Sequence, residues 1–396
     1  MLRFTKSLFH QSLSSRLILG EEVAEALAGN KPIVALESTV ITHGLPSPNN
    51  LETAKLLEST IRKENAIPAT IALINGKIKV GLTKSELEMI ADPKIDAIKV
   101  SVRDISNVLV KKVVGGTTVA ATMRIAHACG IRVFATGGIG GVHRGAEDTF
   151  DISADLIELG QTPVAVVCAG AKSILDIPKT LEFLETHSCN VIVYGNDKNF
   201  PGFFTPKTKY FAPMNSANLK EIAEILALTD LLNLQQGTLI ACPLPEKYSA
   251  VGYEIESVIQ TAVKECKELK ISSKEVTPFI LKRVNEMTKG KSMETNIALL
   301  QNNAQIAAKI AKHYSDLTVF ESKNEISQKE TTNKSYTVKS SNKKLESVAS
   351  VEENEIKKPK VLCIGAAIID FEVITNENVK DNAVKQDKYL FDTNNN

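Results

Sequence analysis

The sequence predicts an α/β fold: a mostly parallel sheet flanked by helices (α/β/α), followed by a C-terminal helical segment. Between Pro32 and Cys242, short apolar runs rich in β-branched residues alternate with amphipathic stretches, as in parallel strands joined by helical crossovers. After Cys242 the apolar residues recur with helical spacing. The predicted strands are PIVAL, ATIALI, DAIKV, RVFAT, VAVVC, VIVY and TLIAC.

Local signals mark where some of these elements begin and end. Asn50 is placed to cap the helix LETAKLLESTIRK, and Thr83 with Glu86 has the spacing of a capping box. Asn75 and Gly76 stand between two apolar runs and predict a tight hairpin.

Composition and charge favour a small-molecule partner. The 47 basic and 46 acidic residues leave a formal net charge of +1, so no global field draws the chain onto nucleic acid or an anionic membrane. The six cysteines lie far apart, mostly in apolar runs, and we interpret them as reduced thiols. No apolar run approaches the roughly 20 residues that a membrane-spanning helix needs.

The two ends of the chain differ in character from its centre. Residues 1–17 are basic and serine-containing with no acid, which is the composition of a mitochondrial targeting segment; the alternative is a frayed terminus of a cytoplasmic protein. Residues 317–358 are polar and predict a disordered linker. In residues 359–396, KPKVLCIGAAIIDFEVI resembles the opening strand of ribokinase-like sugar kinases, and we expect a truncated kinase fragment without kinase activity.

Three predicted strands are followed by residues that can carry chemistry. Glu37 follows PIVAL, a glycine-rich segment follows RVFAT, and Lys172 follows VAVVC. In an open α/β sheet, ligands bind beyond the carboxyl ends of the strands. If these strands are parallel neighbours, all three segments face one crevice.

Lys172 is the candidate nucleophile. It follows a small-residue turn off an apolar strand, and burial there disfavours the ammonium form. A neutral amine can form a Schiff base with a sugar aldehyde. The alternative is a surface lysine at the start of a helix.

Glu37 is the candidate proton donor. It is the only acid at the end of PIVAL, and apolar surroundings would raise the pKa of its carboxyl. The structural alternative is a carboxylate that caps a neighbouring helix.

The segment from Gly137 to Gly145 lets the backbone approach a ligand closely, but it has neither Walker nor dinucleotide-binding spacing. The polar residues that follow favour phosphate and metal handling, with Asp151 as an oxygen ligand for a hard ion such as Mn²⁺ or Mg²⁺. The alternative is a helix that starts at Ser153, with acids complementing its dipole. The clustered polar residues are His143, Arg144, Glu147, Asp148, Asp151 and Asp155.

Two further segments are candidates for anion binding. One is Lys99 with Arg103 after DAIKV; the other is the run ending in Thr117 and Thr118, which opens a helix whose free amides suit a phosphate. Helix capping explains the two threonines equally well. We expect His43 to be a satisfied loop histidine.

Four long stretches carry a family resemblance: ALESTVITHG, TIRKENAIPATIALINGKIKVGL, ATGGIGGVHRGAEDTFDISADL and VVCAGAKSILD. They are similar to the pseudouridine-5'-phosphate glycosidases, over roughly three quarters of the chain. The resemblance assigns residues 18–316 to a glycosidase domain. It implies that Glu37 is the proton donor, Lys172 the Schiff-base nucleophile and Asp151 the ligand of one Mn²⁺ per subunit, in a homotrimer. The substrate contacts, which include Thr118 and His143 from the motifs above, are Lys99, Thr118, Val119, His143, Ser153, Ala154 and Asp155.

The implied reaction is reversible cleavage of pseudouridine 5'-phosphate to uracil and ribose 5-phosphate. Its glycosidic bond joins two carbons, so departure with protonation of a ring nitrogen is unavailable. A lysine iminium offers a different electron sink. Two alternatives stay open: a Schiff-base aldolase acting on another phosphosugar, and a non-catalytic phosphosugar-binding module.

Overall fold

The structure, a computed structural model, describes residues 16–269, 271 and 276–335 of the 396-residue chain. The strands are β1 (Leu17–Leu19), β2 (Ile33–Leu36), β3 (Ile67–Ile74), β4 (Lys77–Val80), β5 (Ile98–Val100), β6 (Gly115–Thr117), β7 (Val133–Ala135), β8 (Ala165–Cys168), β9 (Asn190–Tyr194), β10 (Met214–Ser216) and β11 (Thr238–Ala241). The helices are α1 (Glu21–Ala28), α2 (Asn49–Lys63), α3 (Lys84–Ala91), α4 (Ile105–Lys111), α5 (Val119–Ala128), α6 (Ala146–Thr149), α7 (Ala154–Leu159), α8 (Ile177–Thr186), α9 (Leu219–Leu231), α10 (Ser249–Glu268), α11 (Val276–Met287) and α12 (Lys291–Ser335).

A parallel sheet forms the centre of the fold, in the order β10, β9, β11, β8, β7, β2, β3. Strands β2, β7, β8 and β11 are buried along almost their whole length, as in sheets covered by helices on both faces. The long helix α12 packs across β2, β7 and β8. The predicted α/β/α class, its mostly parallel sheet and its helical C-terminal segment are confirmed.

Strand β3 connects this sheet to a smaller group of strands. Its first half pairs with β2, and its second half pairs in antiparallel fashion with β4 and β6. Strands β1 and β5 complete the small group by pairing in parallel with β4 and β6, respectively. Because β3 pairs with both β2 and β6, the small group lies beside β2. Strand β5, which carries Lys99, is therefore on that side of the main sheet.

Two of the local predictions are confirmed. Thr83 and Glu86 form a capping box at the start of α3. Asn75 and Gly76 have positive φ angles of 50° and 75° and form the two-residue turn between β3 and β4. Positive φ at both central residues is what a type I′ hairpin turn requires.

Asn50 is not the helix cap that the sequence predicts, because α2 already begins at Asn49. The Asn50 side chain is buried and faces inward. Its Nδ2 donates to the carbonyl oxygens of Ile41, at 3.0 Å, and of Ala91, at 2.9 Å. Asn50 therefore ties the turn that follows Glu37 to the end of α3.

The predictions for the chain ends meet the structure only in part. Residues 1–15 of the predicted targeting segment lie outside the described residues, whereas Arg16 donates to the carbonyl oxygen of Gly76 at 3.2 Å and Leu17 starts β1. Helix α12 continues to Ser335, so residues 317–335 are helical rather than a disordered linker. Residues 336–358 and the kinase-like segment 359–396 lie outside the described residues.

The five described cysteines are all free thiols, and Cys363 lies outside the described residues. Across the described ranges, no helix combines the length and the apolar character needed to cross a membrane.

We expect Asn50→Ala to lower the free energy of unfolding by about 2 kcal/mol, because two carbonyls lose their donor. Urea denaturation followed by circular dichroism measures this difference. Glu52→Ala, at an exposed position in the same helix, is the control and should change stability by less than about 0.5 kcal/mol. An Asn50→Ala protein as stable as the wild type would contradict the role assigned to this side chain.

Candidate active site

A cavity of about 680 Å³ opens where β2, β5 and β8 end. All ten residues to which the sequence assigns a catalytic, substrate-binding or metal-binding role line it. They are Glu37, Lys99, Thr118, Val119, His143, Asp151, Ser153, Ala154, Asp155 and Lys172. The strand-end argument therefore finds one site, although the role of each residue is still a prediction.

Glu37 stands at the floor of this cavity, directly after β2. Part of its side chain is open to the cavity, but the carboxyl lies deep in the protein, and burial raises its pKa. The nearby Lys172 charge and a hydrogen bond from the Thr136 hydroxyl oppose this rise without cancelling it. A raised pKa keeps the carboxyl protonated closer to neutral pH, which suits a proton donor.

The helix-capping alternative for Glu37 does not fit its contacts. In the described part of the chain, the carboxylate receives its hydrogen bond from Thr136, which follows the neighbouring strand β7, and not from a helix amide.

Lys172 lies beyond β8 on a turn that the backbone fixes. Gly170 has a positive φ of 86°, and a Cβ there would lie 2.8 Å from the carbonyl oxygen of Pro201, so only glycine fits. The Lys172 amide then donates to the carbonyl oxygen of Ile139 at 3.1 Å. Helix α8 begins only at Ile177, so Lys172 is not a surface lysine starting a helix.

The Lys172 side chain is half-buried, and its charge acts on both Glu37 and His143. Among the described residues, no carboxylate oxygen lies within the 4.0 Å of its amine that an ion pair requires. The Lys172 amine therefore lies near the Glu37 carboxyl but forms no salt bridge with a described carboxylate.

His143 and Asp151 lie side by side at the end of the glycine-rich segment. Their backbones are joined by a 3.0 Å hydrogen bond from the His143 amide, and Nδ1 of His143 is 3.9 Å from Oδ2 of Asp151. Burial lowers the pKa of His143, and Lys172 and Lys99 lower it further, while Asp151 acts in the opposite direction. The lowered pKa favours the neutral imidazole, which can accept or donate a hydrogen bond.

Asp155 joins the glycine-rich segment to helix α5. Its carboxylate is buried; one oxygen accepts from the Ala120 amide at 3.0 Å and the other from the Gly140 amide at 2.8 Å. Ser153 caps α7, so the predicted helix start at this point is present as well. With both oxygens bound to backbone amides, Asp155 shapes the cavity wall and is poorly placed to serve as a metal ligand.

Three other members of the predicted polar cluster point away from the cavity. Arg144 donates to Gln260 at 2.7 Å and to the Ser173 carbonyl at 3.3 Å. Glu147 forms a 2.6 Å ion pair with Lys179. The exposed Asp148 does not line the cavity either. Only three of the six clustered residues therefore face the cavity: His143, Asp151 and Asp155. The members that do not face the cavity are Arg144, Glu147 and Asp148.

A cation and a helix N-terminus also line this cavity. Thr118 caps α5 by accepting from the Ala121 amide at 3.5 Å, and Val119 is the first residue of that helix. Lys99 lies on β5, which pairs with β6, the strand that precedes α5. This combination suits a phosphate group, because the positive end of a helix dipole and an ammonium both favour an anion.

The other anion candidates have structural roles or lie at the edge. Thr117 is buried and donates to the carbonyl oxygen of Ile71 at 2.8 Å. Arg103 contributes an exposed side chain to the cavity rim. His43 bonds Thr42 at 2.7 Å and does not line this cavity, as expected for a satisfied loop histidine.

Sequence reasoning missed several residues that line the cavity or contact its catalytic groups. Thr136 occupies the same strand-end position on β7 that Glu37 has on β2, so the strand-end rule contained the signal. Glu158 and Gln161 also line the cavity, but Glu158 is buried in an ion pair with Arg124 at 2.9 Å. Nothing in the sequence pattern marks these two residues as neighbours of the site.

The residues present fit a loosely held cation better than a caged one. No group of three His, Cys, Asp or Glu side chains that could hold a metal occurs within residues 16–269, 271 and 276–335. Asp151 with His143 beside it offers one carboxylate and one imidazole. A hard ion that keeps several waters can be held by one or two carboxylates.

We expect Gly140→Ala to lower kcat/KM by about 100-fold, because small displacements of positioning groups have effects of this size. A Cβ at Gly140 would lie 2.1 Å from Oγ of Ser153 and 2.8 Å from Oδ2 of Asp155. Gly130→Ala is the control: Gly130 has a positive φ of 80°, so an alanine there strains the backbone, but its Cβ would meet no atom within 4 Å and Gly130 does not line this cavity. Equal activity of the two variants would show that the close approach at Gly140 is unimportant.

Comparison with known proteins now identifies the family. A family model described as "Indigoidine synthase A like protein" matches residues 22–313. The chain is 51% identical over 305 residues to a pseudouridine-5'-phosphate glycosidase of Clostridium botulinum, covering 77% of this chain and 99% of that one. It is 52% identical over 299 residues to pseudouridine-5'-phosphate glycosidase 2 of Rhizobium johnstonii, covering 76% and 96%.

Solved structures agree with this relationship. The prealnumycin C-glycosynthase AlnA in complex with ribulose 5-phosphate superposes with a TM-score of 0.70 at 36% identity, covering 76% of this chain and 98% of that one. An indigoidine synthase A-like protein from Thermotoga maritima gives a TM-score of 0.67 at 33% identity, covering 76% and 96%. The chain therefore belongs to the pseudouridine-5'-phosphate glycosidase family.

Proposed function

We propose that this chain is a C-glycosidase that reversibly converts pseudouridine 5'-phosphate to uracil and ribose 5-phosphate through a Schiff base on Lys172. One observation carries the proposal: Glu37, a carboxyl with a raised pKa, and Lys172, an amine in no ion pair with the described carboxylates, line the same cavity from nearby strand ends. Relatives that are 48–52% identical over nearly their whole lengths bear the name of this activity.

The substrate explains why both groups are required. The bond to be broken joins C1' of the ribose to C5 of uracil, so the base cannot leave as a nitrogen-protonated group. Glu37 donates its proton to the furanose oxygen as the Lys172 nitrogen bonds to C1', which opens the ring. The carboxyl must start protonated and the amine neutral.

Carbon–carbon cleavage follows from the lysine adduct. The adduct nitrogen loses a proton to the Glu37 carboxylate, which returns it to C5 of uracil; the Lys172 nitrogen lone pair then forms a C1'=N iminium as the C1'–C5 bond breaks. The electrons of that bond restore the C5=C6 double bond of uracil. Water then hydrolyses the iminium, which releases ribose 5-phosphate and the free amine.

Lys99 and the start of α5 anchor the phosphate during these steps. Lys99 offers positive charge, and the start of α5 at Thr118 and Val119 offers the positive end of its helix dipole, whereas the Ala120 and Ala121 amides are already bound by Asp155 and Thr118. Binding the phosphate there holds C1' in place, so that binding energy lowers the entropic part of the barrier. A phosphosugar ligand agrees with the related C-glycosynthase, whose structure contains ribulose 5-phosphate.

Two other functions remain as alternatives to be tested. A Schiff-base aldolase would need the same lysine, acid and phosphate site, and a non-catalytic module would need only the phosphate site. The named relatives favour the glycosidase over both.

We expect Lys172→Ala to abolish uracil release, and Glu37→Gln to lower kcat by about 1,000-fold, because each removes a group that the chemistry requires. Lys179→Ala, an exposed lysine of α8, is the control. Uracil release from pseudouridine 5'-phosphate is the assay.

Borohydride trapping separates the two roles. With ribose 5-phosphate, whose open form is already an aldehyde, wild type and Glu37→Gln should both give a reduced sugar adduct on Lys172, and Lys172→Ala should give none. An adduct on another lysine, or retained turnover in Lys172→Ala, would overturn the assigned mechanism. Adduct formation without uracil release by the wild type would favour the aldolase.

We also propose one Mn²⁺ per subunit, held by Asp151 with several waters and with His143 beside it. When bound, the ion supplies positive charge and ordered water near the reacting groups. We expect Asp151→Asn to weaken Mn²⁺ binding by tenfold or more, by analogy with lost metal-site contacts. Electron paramagnetic resonance of bound Mn²⁺ measures this. Asp148→Asn, an exposed acid three residues earlier, is the control; equal affinities would remove Asp151 from the metal site.

We propose that the protein assembles as a homotrimer. Three exposed leucines of α9 and its end, Leu228, Leu231 and Leu232, are 55%, 72% and 66% exposed and suit a subunit interface of the proposed homotrimer. Sedimentation of the purified protein decides its subunit number. Residues 1–17 are proposed to direct mitochondrial import, with a cytoplasmic protein as the alternative, and a fusion of this segment to a fluorescent protein tests that proposal.

The relation of residues 359–396 to ribokinase-like sugar kinases is also a proposal. The family match ends at residue 313, so it does not cover this segment.

A further inference from the structure

Asn303 is a buried polar residue on the long helix α12, behind the active site. Its side chain is fully buried, and Nδ2 donates to the carbonyl oxygen of Thr136 at 2.9 Å and, more weakly, to that of Gly137 at 3.4 Å. Its Oδ1 is also buried but has no hydrogen-bond partner among the residues that the structure describes. Asn303 thus holds one loop through its donor while its acceptor is left unsatisfied.

An unsatisfied buried oxygen is a cost that calls for an explanation. The surroundings are apolar: Leu299 and Leu300 on the same helix lie against Gly137, and Ala304 and Ala307 are fully buried. An apolar side chain at position 303 would avoid the cost of the unpaired Oδ1. Residues that break the rule that buried polar atoms are hydrogen-bonded commonly serve a function. For Asn303, that function would come from the hydrogen bonds that its Nδ2 donates.

The peptide that Asn303 holds lies between the two catalytic groups. Thr136 follows β7, donates through its hydroxyl to the Glu37 carboxylate, and donates through its amide to Val167 at 3.0 Å. The Gly137 carbonyl accepts from the Ala169 amide at 2.9 Å, three residues before Lys172. A shift of this peptide would therefore move the hydroxyl off Glu37 and disturb the lysine turn.

We propose that Asn303 is a positioning residue for the reaction, which holds the Thr136 hydroxyl on the Glu37 carboxylate and so sets the strength of the catalytic acid. The proposal rests on the proposed function, since it takes Glu37 as the proton donor. It gives helix α12 a part in catalysis although Asn303 itself does not line the cavity.

The direction of the expected effect follows from the groups that face Glu37. Burial raises its pKa; Lys172, the Thr136 hydroxyl and Lys99 lower it, and Asp155 raises it. Without the hydroxyl, the pKa of Glu37 rises further. Because only the protonated carboxyl can donate, kcat falls as pH rises through this pKa. Losing the hydroxyl therefore moves the fall of kcat to higher pH.

The test compares pH profiles of kcat for uracil release. Asn303→Leu removes the amide and fills its volume, and we expect its maximal kcat to fall about tenfold with little change in KM. The high-pH fall should move up by about one pH unit, the shift that the loss of one hydrogen bond to a carboxylate can give. Thr136→Val should show the same shift, and the double variant should shift no further than either single variant.

Controls and a second variant keep the outcome decisive. Asn302→Leu changes the adjacent amide of α12, which does not contact Thr136 in the described structure, and should leave the profile unchanged. Asn303→Ala serves the same test where the leucine variant does not fold. Lower activity with an unmoved pH profile, or shifts that add in the double variant, would overturn the proposal. Full activity of Glu37→Gln would instead overturn the proposed function.

Discussion

Three neighbouring parallel strands, β2, β7 and β8, run in register, with Leu36 opposite Ala135 and Ala135 opposite Val167. The residues that follow them therefore emerge side by side. Glu37, Thr136 and the turn that carries Lys172 come from these three ends, and their mutual distances are set by the spacing of hydrogen-bonded strands rather than by flexible loops. A site on strand ends can hold an acid and an amine at fixed separation, which is what a two-group mechanism needs.

That separation matters because the two groups are chemically compatible only when they do not form an ion pair. A glutamate bound directly to a lysine would be ionised, and the amine would be protonated, so neither could perform its step. Burial acts on Glu37 against the attraction of Lys172 and keeps the carboxyl protonated to higher pH. The hydrogen bond from the Thr136 hydroxyl lowers the pKa of Glu37 and so reduces this effect. Burial thus helps the carboxyl to keep its proton, and the hydrogen bond helps it to release that proton.

The sequence was sufficient for the parts of this site that lie next to each other along the chain or at strand ends. The strand-end rule brought Glu37 and Lys172 to one crevice, and the glycine pattern located the wall that carries His143 and Asp151. It did not distinguish Arg144 from His143, because which of two adjacent side chains faces the cavity depends on the loop conformation. Residues 317–335 were expected to be disordered, since their composition lacks the apolar side chains that a core requires, yet α12 continues through them.

Asn303 shows why the remaining part of the site was not accessible in this way. It lies 167 residues from Thr136, on a helix whose pattern of apolar residues indicates only that one face is buried. The helical periodicity shows that an asparagine interrupts the apolar face of α12. It does not identify the hydrogen-bond partner, because that partner is a backbone carbonyl at the end of a distant strand. A polar residue that departs from an apolar helix face is consequently a useful sequence signal, and only the packing of α12 across β7 gives it a meaning.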